Sequence, residues 1–142
     1  MKTNKPFVKS VLAVMLAAVV AGSAISAYAE GDALKDVTVY AGSGAYGADN
    51  GVTGAASFRS PLGLTLRNDG SMIVVDSGSH LLRLVSGGQV STYAGITFDF
   101  DELGLPLGGL INGPRTESVF QSPSDAVVDA AGNLYVADTG NN

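Results

Sequence analysis

Beyond residue 36 the chain shows no helical periodicity. Short apolar runs alternate with clusters of Gly, Asn, Asp and Ser, the pattern of strands joined by tight turns. Four runs follow one another. Residues 62–67 read Leu-Gly-Leu-Thr-Leu-Arg, so leucines fall at every second place and share one face of a strand. Asn68-Asp69-Gly70 then predicts a tight turn, since Gly70 accepts positive φ without steric cost. Residues 72–75 are continuously apolar, as in a strand buried on both faces. Residues 81–85 form a third run, ended by Ser86, Gly87 and Gly88. Residues 89–93 are the most polar run, as suits an outer edge.

The pattern then recurs. Asn50-Gly51, Phe58, Pro61, Gly70, Asp76 and Gly78 reappear as Asn112-Gly113, Phe120, Pro123, Gly132, Asp138 and Gly140, always 62 positions on. A fixed offset without gaps is the mark of a repeat architecture. The second copy predicts strands at 124–129 and 133–137. A second match runs at a shorter offset of 53 and pairs Val37, Tyr40, Ala41 and Gly42 with Val90, Tyr93, Ala94 and Gly95. The nine-residue difference places an insertion within 96–110. A period of this size, filled by four antiparallel strands, suits a propeller blade. The expected fold is therefore all-β, a partial β-propeller of about one and a half blades over 37–142. Residues 61–95 make the whole blade and 124–142 the incomplete one. Residues 37–42 read as a stray outer strand, of the kind that completes the last blade of a ring. Stacked repeats draw their stability from their neighbours, and about three are usually needed. The chain is thus expected to be incomplete, and residues 30–142 alone to aggregate or to unfold without cooperativity.

The first 29 residues follow another logic. Lys2, Lys5 and Lys9 precede an apolar run over 11–21, and small residues lead to Ala27-Tyr28-Ala29. This is the three-part pattern of a secretory signal peptide, cut before Glu30. A spanning helix would need roughly 20 apolar residues, and this run is shorter. Residues 1–29 are accordingly expected to be a helical signal peptide and 30–36 a linker. The mature protein is expected to be secreted or held at the cell envelope, with no membrane segment. It carries all 13 acids of the chain against five bases, Lys35, Arg59, Arg67, Arg83 and Arg115, a net of −8. That balance disfavours nucleic-acid backbones and anionic lipid. The lack of cysteine excludes disulfides and thiolate metal sites.

The repeated residues carry a family resemblance. The series Phe58, Pro61, Gly63, Asp69-Gly70, Val74-Val75-Asp76-Ser77-Gly78-Ser79-His80-Leu81 resembles the NHL repeat, as does the series from Phe120 to Asn142. The family is named for Asn-His-Leu, and Ser79-His80-Leu81 stands at that place. The Tyr-Ala-Gly strand and the Asn-Gly lead-in look like the long NHL repeats of secreted bacterial proteins and teneurin-type propellers. The departures, Ser79 for Asn and Asn142 for His, affect only a turn. The resemblance implies a β-propeller and leaves function open, because one fold hosts many functions.

Candidate chemistry is sparse. His80 is the only histidine, so it lacks a partner for a metal site or a nucleophile, and a turn role is expected. Asp76 and Asp138 recur in both copies before a small hydroxyl residue and Gly. They suggest Asx-type turns, with Gly78 and Gly140 taking an awkward dihedral. The insertion holds Asp99, Asp101 and Glu102, a weak calcium set that lacks the full twelve-residue loop pattern. The expectation is no cofactor. Phe98 and Phe100 interleave these acids and make the loop the expected contact for a partner. The leading reading is a secreted propeller module that binds protein or glycan at the cell envelope, with no catalytic, cofactor or metal site visible here. The alternative is the first part of a propeller enzyme, a metal-dependent lyase or lactonase resembling the gluconolactonase-like group, its site in other blades.

Overall fold

The computed structural model describes residues 37–142. The signal peptide and linker expected over 1–36 lie outside the described residues. The fold is all-β. Strands β1 (Gly51–Val52), β2 (Pro61–Leu66), β3 (Met72–Asp76), β4 (Leu81–Ser86) and β5 (Gln89–Ala94) form one antiparallel sheet in the order β1-β5-β4-β3-β2. Strands β6 (Asp125–Val128) and β7 (Leu134–Ala137) form a second, two-stranded sheet. One complete blade is thus followed by half of another, as a partial propeller requires. The only helical turns among the described residues are 3₁₀ turns at Ser77–Ser79 and Thr139–Asn141.

The central strand behaves as its composition demands. All five residues of β3 are buried. Met72 and Val74 join Ala41, Ala56, Val85 and Val90 on one face, with Phe58 and Leu64 against them. Ile73 and Val75 face the other way and pack with Leu82, Ala94 and Ala126. Ala126 belongs to β6, and Leu134 and Val136 of β7 close over the same cluster. One strand therefore feeds two cores, the second of which joins the blades. Gly63 of β2 permits this approach. A Cβ there would lie 2.7 Å from Asp125 Oδ1 and 2.9 Å from its Cα.

One expectation needs correction. Residues 38–40 lie outside any strand. The outer neighbour of β5 is β1, through Gly51 opposite Val90 and Val52 opposite Gln89. The match between the two Tyr-Ala-Gly segments still holds in space. Gly42 N donates to Thr53 O and Ser43 N to Ala56 O, and 53 residues later Gly95 N donates to Arg115 O and Ile96 N to Ser118 O. Both segments end against the lead-in of the following repeat. Only β5 also has a β4 beside it, and a strand needs a ladder. On β2, Leu62 and Leu66 are exposed and Leu64 is partly covered.

Candidate functional site

The two repeats build the same turn after β3 and β7. Asp76 Oδ1 accepts from Arg59 N at 2.6 Å, and Asp138 Oδ1 from Gln121 N at 2.7 Å. Gly78 N donates to Arg59 O and Gly140 N to Gln121 O, both at 2.8 Å. These carboxylates are occupied in tying each lead-in segment to its strand. The glycines serve a different purpose from the one expected. Neither lies in the left-handed region, which is taken by His80 (φ 57°) and Asn142 (φ 70°). They are glycines because the lead-in passes too close for a side chain. A Cβ on Gly78 would sit 2.7 Å from both Arg59 Cγ and Arg59 O, and one on Gly140 would collide with Gln121 O. Gly78→Ala is therefore expected to destabilise the blade by about 1–3 kcal/mol, the usual cost of overpacking. Faster hydrogen exchange at the Gly78 and Arg59 amides would measure it, and unchanged exchange would contradict it.

Asp76 also anchors a buried cationic cluster that sequence reasoning missed. Arg83 is fully buried. Its Nη1 donates to Ser57 O at 3.1 Å and to Asp76 Oδ2 at 3.2 Å, and its Nη2 to Asp49 O at 2.9 Å and Asn50 Oδ1 at 2.8 Å. The guanidinium lies 5.4 Å from the centre of the Phe58 ring. Burial pushes the Asp76 carboxyl up, against the pull of the Arg59 N–H and the Arg83 charge. The available clue was a lone Arg within the apolar run Leu81-Leu82-Arg83-Leu84-Val85, alongside the Asp that ends β3. In the first copy the Asn50 side chain holds the guanidinium.

His80 joins the two repeats. Its Nδ1 accepts from Ser122 N at 2.8 Å, which requires that nitrogen to be unprotonated. Burial holds its pKa below the ordinary 6.5, although the Pro106 carbonyl and the Asp138 carboxylate pull upward. A lowered histidine pKa means the fold prefers the neutral ring. The stabilisation is complete above the ordinary value and is lost as pH falls through the folded value. The protection factor of the Ser122 amide is thus expected to drop between pH 7.5 and pH 5, and His80→Gln to flatten that dependence.

The insertion forms a small hairpin of its own. Gly95 N and Ile96 N fix its base, Leu107 N donates to Asp99 O at 3.0 Å, and Asp101 N to Leu105 O at 2.9 Å. Asp101 Oδ1 accepts from Leu103 N at 2.9 Å and Leu105 N at 2.8 Å, so this carboxylate shapes the tip. Asp99 Oδ1 accepts from Phe100 N at 2.8 Å. Among the described residues no three His, Cys, Asp or Glu side chains gather around one point. Phe98 and Phe100 are 54% and 59% exposed, and Leu103, Leu110 and Ile111 are exposed beside them. Exposed aromatic side chains thus alternate with carboxylates along this loop. No described helix is long and apolar enough to cross a membrane.

Comparison with known proteins defines the class. Residues 120–142 match the NHL repeat family. Among solved structures, a protein of unknown function from Bacteroides thetaiotaomicron superposes with a TM-score of 0.62 at 28% identity, over 71% of this chain and 24% of its own. An auxiliary nutrient binding protein from the same organism gives 0.53 at 23%, over 69% of this chain and 25% of its own. A third from that organism, named only as a candidate phosphatase, gives 0.58 at 24%, over 73% and 25%. No curated protein matches the chain. The chain is a partial β-propeller with an NHL repeat at residues 120–142, and it spans about a quarter of the length of the structures it resembles.

Proposed function

We propose that the chain is part of a secreted NHL-repeat propeller that serves as a binding scaffold at the cell envelope, with a protein or glycan as its partner. The supporting observation is the insertion hairpin. Its backbone is tied down by Asp101 and by bonds to the following lead-in, while Phe98, Phe100 and Leu103 remain exposed. A rigid loop with exposed aromatic side chains loses little freedom on binding and presents much apolar surface. The nutrient binding protein among the structural neighbours agrees with this reading. The three carboxylates favour a partner with basic or hydroxyl-rich groups, and no cofactor is assigned to them.

Two measurements test it. Mass spectrometry of exported material is expected to find an N-terminus at Glu30. Glycan and envelope-protein arrays probed with the complete protein are expected to give ligands whose binding falls at least tenfold in Phe98→Ser/Phe100→Ser. Retention of full binding by that variant would remove the hairpin from the site. Lyase or lactonase turnover by the complete protein would replace the scaffold reading with the enzymatic one.

A further inference from the structure

Among the described residues, Arg59 is the arginine whose side chain donates no hydrogen bond. Arg67 pairs with Asp69, Arg83 with Asp76, and Arg115 donates to Tyr93 O. The Arg59 backbone is pinned on both sides, with its N on Asp76 Oδ1 and its O on Gly78 N. Its Nε and Nη1 are nevertheless enclosed without a partner. The group over them is the Tyr46 ring, whose centre lies 4.9 Å from Arg59 Cζ. Tyr46 is itself 68% exposed. It is held there because residues 46 and 58 bridge in parallel and Gly47 N donates to Phe58 O at 3.3 Å. The second repeat keeps this backbone frame and lacks the pair. Gly109 N donates to Phe120 O at 3.1 Å, 62 positions on, but Gln121 stands for Arg59 and Gly108 for Tyr46. A Cβ on Gly108 would lie 3.0 Å from His80 Nδ1, so the histidine fills that place. Asp76, Gly78 and Asn50 recur because they build the repeat. Arg59 and Tyr46 stand in one copy only, as the parts of a binding site do.

We propose that Arg59 and Tyr46 bind a uronic-acid sugar, with its carboxylate on the guanidinium and its ring against the tyrosine. The proposal rests on the scaffold reading and names the chemistry of a glycan ligand. Enclosed N–H groups without an acceptor cost free energy, and a ring face returns only part of it. A carboxylate supplies two oxygens that match the planar fork and bond two of its nitrogens at once. Exposed side chains change rotamer within nanoseconds, so the Tyr46 ring swings off the guanidinium as the carboxylate arrives. The ring then closes on the sugar, whose C–H groups pack on its electron-rich face. That contact distinguishes a sugar acid from a bare carboxylate. A single negative charge is favoured over a phosphate dianion, because residues 30–142 carry 13 acids against five bases. The pinned backbone of Arg59 holds the guanidinium stem in place before the ligand binds.

The test uses the complete protein, the methyl glycosides of galacturonic and glucuronic acid as probes, and saturation-transfer NMR titration. At least one acid glycoside is expected to bind at least tenfold more tightly than its neutral galactoside or glucoside counterpart. Arg59→Gln introduces the residue found at 121, where the backbone N keeps its bond to the repeat's aspartate, so the turn survives. That variant is expected to bind the acid at least tenfold more weakly and the neutral sugar as the parent does. Tyr46→Ala is expected to weaken both sugars, since the stacking surface is lost. Arg115→Gln removes an equal charge elsewhere and is expected to leave binding intact. Failure of both acids to bind would overturn the proposal, as would equal binding of acid and neutral sugars. So would a loss in Arg115→Gln as large as in Arg59→Gln, or binding of N-acetylglycine, a carboxylate without a sugar, as tight as that of the acid glycoside. Free monosaccharides are read at Arg59 and the arrays at Phe98 and Phe100, so the two readings fail separately.

Discussion

Arg83→Leu is expected to lower the local stability of the complete blade by about 3–5 kcal/mol, the cost of removing one partner from a buried ion pair. In native-state hydrogen exchange this corresponds to a loss of roughly a hundredfold or more in protection at β3 and β4 amides, since every 1.4 kcal/mol is about tenfold. The loss has two parts. Asp76 keeps its buried charge with only the Arg59 N–H to offset it. The carbonyls of Asp49 and Ser57 and the Asn50 amide oxygen lose their shared donor. Arg83→Lys is expected to recover little, because an ammonium cannot reach four acceptors spread across a planar fork. Arg83→Met with Asp76→Asn is expected to recover more, since it removes both charges together. A loss below 1 kcal/mol in Arg83→Leu would show that the cluster is incidental to the blade.

Leu82→Ala is expected to cost about 2–5 kcal/mol, the range for emptying a fully buried leucine site. Leu82 is 0% exposed and packs with Ile73, Val75, Ala94 and Ala126. Because Ala126 lies on β6, the cavity opens between the two blades. Amides of both sheets are therefore expected to lose protection, which a defect confined to one blade would not produce. Leu62→Ala is the matched control. Leu62 is 57% exposed, and its replacement is expected to change protection by no more than about 0.5 kcal/mol. Equal effects at the two positions would contradict the packing described for β2 and β4.

The order of strands, the turns and the repeat were legible because each rests on local rules. β3 is buried on both faces, as its unbroken apolar run implies. Gly70 and Gly132 take φ of 81° and 87° in matching turns. The insertion was legible as a difference between two offsets, and it folds as a hairpin. Burial on β2 and β4 was not legible. Leu62 and Leu82 are the same residue in similar runs, and only the arrival of β6 and the lead-in segments decides which face is covered. The seat of Arg83 depended equally on tertiary structure, because its acceptors come from residues 49, 50, 57 and 76, far apart along the chain. A guanidinium reads as surface in sequence until carbonyls from distant segments converge on it. Gly78 and Gly140 show the same division. Their recurrence was visible, but its cause is the closeness of another backbone, which no local pattern records. Local sequence thus determined where strands and turns form, while packing between segments decided which faces and charges are buried.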